Sequence, residues 1–248
     1  MHIKIINPNT NAIFTQRNLL LGRAVASAGT VISAAEPRLG TASVECHIEE
    51  AIASIGVVEE VLAGERDGVD GYVTACFGDT GIHAAREAAT GPVVGMTEAS
   101  LFAAALIAAK FSIVTLPSRT RIQAERVVRE LGMQERCWPV RAIDVDVLDC
   151  EDEDAAIAQA FLVEARRAIA DDHAEAIILG CAGLSPLVTP LTAALGMPVI
   201  EGVSVAVKMA EGLVSLELRT SKVSSYANPP PKPRSSAFFH GAFGDLAS

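Results

Sequence analysis

Gly71-Tyr72-Val73-Thr74-Ala75-Cys76-Phe77-Gly78-Asp79 and Ala176-Ile177-Ile178-Leu179-Gly180-Cys181-Ala182-Gly183-Leu184 read as one segment written twice. Each is an apolar run of strand length that ends in a cysteine, with a glycine two residues later. The runs show no polar alternation, so both faces of each strand are expected to be buried, as in parallel sheets. Matching segments flank both copies. Gly91-Pro92-Val93-Val94-Gly95 corresponds to Gly196-Met197-Pro198-Val199-Ile200, and Ile5-Ile6-Asn7-Pro8-Asn9-Thr10 to Ile113-Val114-Thr115-Leu116-Pro117-Ser118. The offset is 105 at the cysteines and 106 and 109 at the flanking prolines, so the register hardly drifts. A duplicated unit of this kind can set two equivalent thiols face to face across a pseudo-two-fold axis.

Outward from these segments, strand-like runs recur at 3–7, 31–34, 71–75, 93–95, 111–115, 137–142, 176–179 and 198–201. Helical stretches alternate with them at 12–28, 45–65, 81–89, 97–108, 119–131, 155–170, 186–195 and 203–217. Alternation predicts an α/β fold of parallel sheets covered by helices. The repeat favours two pseudo-symmetric lobes, each a four-stranded parallel sheet flanked by helices, with the active site between them. The first lobe is expected over 1–95 plus 206–220, the second over 96–205, and a Pro-rich tail over 221–248. That tail, with Pro229-Pro230-Pro231-Lys232-Pro233 extended as polyproline, reads as a surface arm or subunit contact in which Phe238, Phe239 and Phe243 dock.

The 248 residues can bury a sizeable core, and half of them are apolar with few aromatics, which suits buried parallel strands. A net charge of −10 argues against a nucleic-acid surface. Seven carboxylates crowd 144–154, read as a solvated loop running into a helix capped by Asp152 or Asp154. The longest apolar stretch, 99–109, is too short to span a bilayer. Five cysteines without a CxxC pair suit free thiols in a reducing cytosol, so a cytoplasmic protein is expected.

Cys76 and Cys181 are the candidate catalytic residues. Each follows a strand and precedes a helix start, where open α/β sheets bind ligands. Ser185 as N-cap with Pro186 at the first helical position signals the second helix, and Asp79 or Thr80 can cap the first. Amide N–H groups around Phe77-Gly78 and Ala182-Gly183 are expected to point into the crevice, lowering a thiol pKa and holding a developing oxyanion. Cys46, Cys137 and Cys150 have no counterpart in the repeat and read as structural. Asn9 and Thr10 after the first strand, and Thr115 and Thr120 after its counterpart, can orient a polar uncharged ligand or serve only as turn and cap residues. Glu98 and Glu201 read as helix-start carboxylates before they read as ligand acceptors. No GxGxxG, Walker or HExxH motif is present, and the scattered histidines form no zinc signature, so neither metal nor cofactor is expected.

Asn7-Pro8-Asn9-Thr10, Cys76-Phe77-Gly78-Asp79 with Ala84-Ala85-Arg86-Glu87, and Gly180-Cys181-Ala182-Gly183 resemble the hydantoin and allantoin racemases of the aspartate/glutamate racemase superfamily. Gly40-Thr41-Ala42-Ser43-Val44-Glu45 is similar too, although Thr41 stands where that family usually has proline, and Leu184 replaces a common methionine. The resemblance covers about 1–233. It implies a cofactor-independent racemase of 5-substituted hydantoins or allantoin, with Cys76 and Cys181 exchanging a proton at ring C5. It also implies ring contacts from Asn9, Thr10, Ser43, Thr74, Phe77, Gly78, Thr115, Thr120, Ala182 and Gly183, and self-association as a homo-oligomer. An amino-acid racemase or maleate-type isomerase ranks behind, since each must hold carboxylates and no arginine clamp is evident at the strand ends. A decarboxylase needs only one thiol, and a non-catalytic two-lobed binding module needs neither.

Overall fold

A computed structural model describes residues 1–151 and 155–230. The predicted caps Asp152 and Asp154, and the tail from Pro231 onward with its three phenylalanines, lie outside the described residues. Among the described residues, eight strands form two separate four-stranded sheets, every pairing parallel. The first sheet has the order β2 (Val31–Ala35), β1 (His2–Ile6), β3 (Gly71–Thr74), β4 (Val93–Gly95). The second has the order β6 (Arg141–Ala142), β5 (Ser112–Thr115), β7 (Ile177–Gly180), β8 (Val199–Ile200). The orders are the same pattern twice, as the repeat requires.

Helices α1 (Ala12–Val25), α2 (His47–Arg66), α3 (Ile82–Ala88) and α4 (Met96–Ile107) follow the strands of the first half. Helices α5 (Arg121–Glu130), α6 (Ala155–Asp172), α7 (Val188–Leu195) and α8 (Gly202–Ser215) follow those of the second. The last of these turns back: α8 packs on α1, α4, β3 and β4. Helices α4 and α8 thereby contribute Ala99, Leu101, Val203 and Val207 to one apolar cluster that also holds Ile5 and Val73 of the first sheet and Ile113 and Ile178 of the second. Hydrophobic burial is therefore continuous between the halves. A second cluster centres on Val114, Phe161, Ile177 and Leu179, and α1 of the first half pushes Phe14 into it.

Three local expectations are corrected. The predicted strand at 137–142 shrinks to its last two residues. Pro139 has no N–H to give a ladder, and the Cys137 amide donates to Met133 O at 2.8 Å, prolonging the turn that ends α5. Ser185 does not cap α7: residues 182–187 form a 3-10 turn with Pro186 inside it, and the helix proper starts at Val188. Asp79 and Thr80 do not cap α3, whose N-cap is Gly81 in the left-handed region, φ 75°. Asp79 caps α4 instead, accepting the N–H groups of Thr97 and Glu98 at 2.8 and 2.9 Å. Glu98 and Glu201 are helix-start carboxylates: Glu98 accepts the Gly95 N–H and pairs with Arg86, and Glu201 caps α8 through Val203 and Ser204.

The described part of the tail lies on α3. Lys222 donates to the Arg86 and Glu87 carbonyls at 2.8 Å each, and Tyr226 stacks on His83 with its hydroxyl 2.9 Å from Nδ1.

Candidate active site

In each sheet the connections leave the central strand pair, β1/β3 or β5/β7, in opposite directions. Chain reversal of this kind opens a crevice at the carboxyl ends of the strands. The Asn7–Asn9 turn follows β1 and Cys76 follows β3, while Thr115 ends β5 and Cys181 follows β7. The two crevices face each other and merge into one cavity of about 530 Å³ including its mouth. Both cysteines lie in its wall.

Around Cys76, the Thr80 hydroxyl donates to Sγ at 3.5 Å, and Sγ is 3.8 Å from the Phe77 carbonyl. Burial pushes this thiol up to about 12 against that hydroxyl, and the charge of Cys181 adds to the rise, so the two sulfurs sense one another. Burial also pushes Cys181 up to about 12, with Cys150 adding to it, while the Gly183 and Leu184 amides pull it down. The lowered thiol pKa expected from turn amides is thus corrected. Donors are present at Cys181, but loss of water outweighs them.

The polar part of the wall is held from behind. Asn7 Nδ2 donates to Asn9 Oδ1 at 2.8 Å and to Thr15 Oγ1 at 3.0 Å, and Asn9 Oδ1 also accepts the Asn11 N–H. The Thr115 hydroxyl donates to Gly180 O at 2.9 Å and lies 3.2 Å from the Thr120 hydroxyl. Gly180 must lack a side chain there, because a Cβ would fall 2.5 Å from Thr115 Cβ.

Asn9, Phe77, Thr115, Thr120, Ala182 and Gly183 line the cavity with the two cysteines. Thr10, Ser43, Thr74 and Gly78 do not. The Thr10 amide is spent on Thr41 O, and the Ser43 hydroxyl turns to Glu45 at 2.6 Å. Thr74 is fully buried on the strand itself. Gly78 N–H, expected in the crevice, donates to Thr97 Oγ1 at 2.8 Å, and its carbonyl accepts from Arg126 at 3.0 Å. Ala75 and Gly180 of the cysteine-ending segments line it too, as do Asn7, Val44 and Leu116 of the other quoted segments, while Phe14, Asn18, Gln123 and Val147 were not singled out in the sequence. Asn18 and Gln123 carry a legible signal, a carboxamide on the buried side of a helix. No charged side chain is among the lining residues.

Of the other three cysteines, Cys137 and Cys150 are buried and Cys46 precedes the first residue of α2. Among the described residues no group of three or more His, Cys, Asp or Glu is placed to hold a metal ion, and no helix is long and apolar enough to cross a membrane.

The model of the Asp/Glu/hydantoin racemase family matches residues 3–210, spanning both sheets and both cysteines. The chain belongs to that family. Within it, a hydantoin racemase of Pseudomonas sp. (strain NS671) is 42% identical over 232 residues, covering 94% of this chain and 93% of the relative. A hydantoin racemase of Rhizobium meliloti is 44% identical over 229 residues, covering 92% and 95%. The solved allantoin racemase from Klebsiella pneumoniae is 44% identical and superposes with a TM-score of 0.92 over 96% of this chain and 97% of that one. This family member therefore shares its two-sheet architecture with that solved structure.

Proposed function

We propose that this chain is a cofactor-independent racemase that inverts C5 of 5-substituted hydantoins or allantoin, with Cys76 and Cys181 as its two acid/base groups. The observation that carries the reading is one uncharged cavity walled by both repeat-related thiols. One sulfur, as thiolate, takes the C5 proton and becomes a thiol, leaving an enolate conjugated with the ring carbonyl. The opposing thiol then delivers its proton to the other face of C5 and is left as thiolate. Charge and protons balance, and the reverse direction exchanges the roles. Burial makes each sulfur a stronger base than an ordinary thiolate, which favours attack on a carbon acid. The polar groups of Asn9, Thr115 and Thr120 serve the ring. An amino-acid or dicarboxylate substrate fits less well, because no lining residue carries a positive charge to pair with a carboxylate. The same reading has the enzyme act as a cytoplasmic homo-oligomer, its free thiols suiting a reducing compartment.

The test is the optical rotation of L-5-benzylhydantoin, L-5-methylhydantoin and allantoin incubated with the protein without added metal or pyridoxal phosphate. Decay of rotation is expected for at least one. Cys76→Ser and Cys181→Ser are each expected to abolish it while far-UV circular dichroism stays unchanged. Each variant should still exchange the C5 proton with deuterated solvent for one enantiomer only. Substantial racemisation by either variant rules out the pair.

A further inference from the structure

Phe14, Asn18 and Gly22 stand on the inward stripe of α1, where spacing by four residues ordinarily places apolar side chains. Asn18 breaks that rule. It is 1% exposed, and neither Nδ2 nor Oδ1 has a hydrogen-bond partner among the described residues. Asn7, nearby on the same wall, has partners from three residues. A buried carboxamide with donor and acceptor both unmet is unfavourable, and such groups are almost always paired. The Asn18 side chain lines the cavity that holds Cys76 and Cys181, one helical turn from Phe14, whose ring packs near Gly183. The complement to this amide is therefore a group that enters the cavity.

We propose that Asn18 is a substrate-positioning residue that pairs with the imide edge of a hydantoin ring, Oδ1 accepting the N3–H and Nδ2 donating to a carbonyl beside it. A five-membered cyclic imide presents an N–H and a C=O side by side in the cis arrangement, which a primary carboxamide matches with two parallel hydrogen bonds. The α-carboxylate of a free amino acid offers acceptors only and leaves Oδ1 unmet. The edge lies away from the C5 substituent, so this contact fixes the ring while leaving the side group free to vary. Asn18 moves no proton; it holds C5 between the sulfurs. This assignment rests on the hydantoin reading above and names the group that recognises the ring.

The experiment compares wild type with Asn18→Leu, a substitution of similar size, on 5-methylhydantoin and its N3-methyl analogue. In wild type, N3-methylation is expected to cut kcat/KM tenfold or more. In Asn18→Leu, KM for the parent hydantoin is expected to rise at least tenfold, and the penalty for N3-methylation to shrink below threefold. The thermal midpoint is expected to stay level or rise, since an unpaired buried amide has gone. Asn18→Ala supplies the same comparison should the leucine variant not fold. A variant that keeps the wild-type KM and the full N3-methyl penalty overturns the assignment while leaving the racemase reading intact. So does a lowered thermal midpoint with equal loss on both compounds, the mark of a merely structural residue. A wild type that racemises no hydantoin removes the reading beneath it and this assignment with it.

Discussion

At the scale of the residue, the two sulfurs set the pH behaviour. Both thiols are pushed up to about 12 by burial, well above the ordinary thiol value near 8.5. Proton exchange at C5 needs one thiolate and one thiol at the same time. Below the first ionisation the thiolate-bearing fraction grows about tenfold for each pH unit. We therefore expect kcat/KM to climb between pH 6 and pH 8 with a slope approaching one logarithmic unit per pH unit. Activity should fall where the imide N3–H of the substrate, or the second thiol, ionises. Stopped-assay rates across that range, in buffers of constant ionic strength, check it. A profile flat from pH 6 to pH 8 would mean that a thiolate is already formed, and that the amides of Gly183 and Leu184 outweigh burial. The cysteines were legible because a repeat singled them out. The sign of their pKa shift was not, since it depends on how much water the closed crevice excludes.

At the scale of the element, the turn that carries Cys76 is bolted to helix α4. Asp79, with φ 52°, sends its carboxylate into the first turn of α4, and burial beside Glu98 raises it to about 7. The carboxylate fits only because position 95 is glycine: a Cβ there would fall 2.3 Å from Asp79 Cγ. Gly95→Ala is expected to cost about 1–3 kcal/mol of stability, as overpacking does, and to lower kcat as the turn shifts. Gly212 on α8 has nothing within 4 Å of its would-be Cβ, so Gly212→Ala is expected to stabilise by about 0.5–1 kcal/mol. Urea titrations of both variants check the pair; similar effects would contradict the bolt. This arrangement also explains a limit of sequence reading. Asp79 precedes α3 along the chain, and local rules assign it there, yet its carboxylate serves a helix that begins seventeen residues later. Caps made through space leave no local pattern. Strand runs do, and Val73, Ile113 and Ile178 stand where their sequence segments put them, in the buried sheets.

At the scale of the whole molecule, the duplication announced two halves but said nothing of how they are joined. Side-chain contacts that cross between them do that work. Arg126 of α5 pairs with Glu50 of α2 and holds the Gly78 carbonyl. Arg17 of α1 donates to Cys150 O at 2.7 Å. Phe14 of α1 is buried among Val114, Leu179 and Leu184 in the second half. Each crosses from one half to the other, and such pairings cannot be read from a repeat that treats the halves as equivalent. Since one apolar cluster also runs through both sheets by way of α4 and α8, the halves should not unfold separately. The single tryptophan, Trp138, stands in the segment between α5 and β6 and reports on the second half, whereas far-UV circular dichroism reports on every helix. We expect the two signals to be lost at the same urea concentration. Phe14→Ala should lower both midpoints together, for a stability loss of about 3–5 kcal/mol, the usual cost of emptying a buried aromatic site. It should also weaken activity, because Phe14 walls the cavity beside Gly183. Separate midpoints, or a Phe14→Ala variant in which only the tryptophan signal moves, would show two lobes that merely touch. The cleft between them would then be free to open independently of folding.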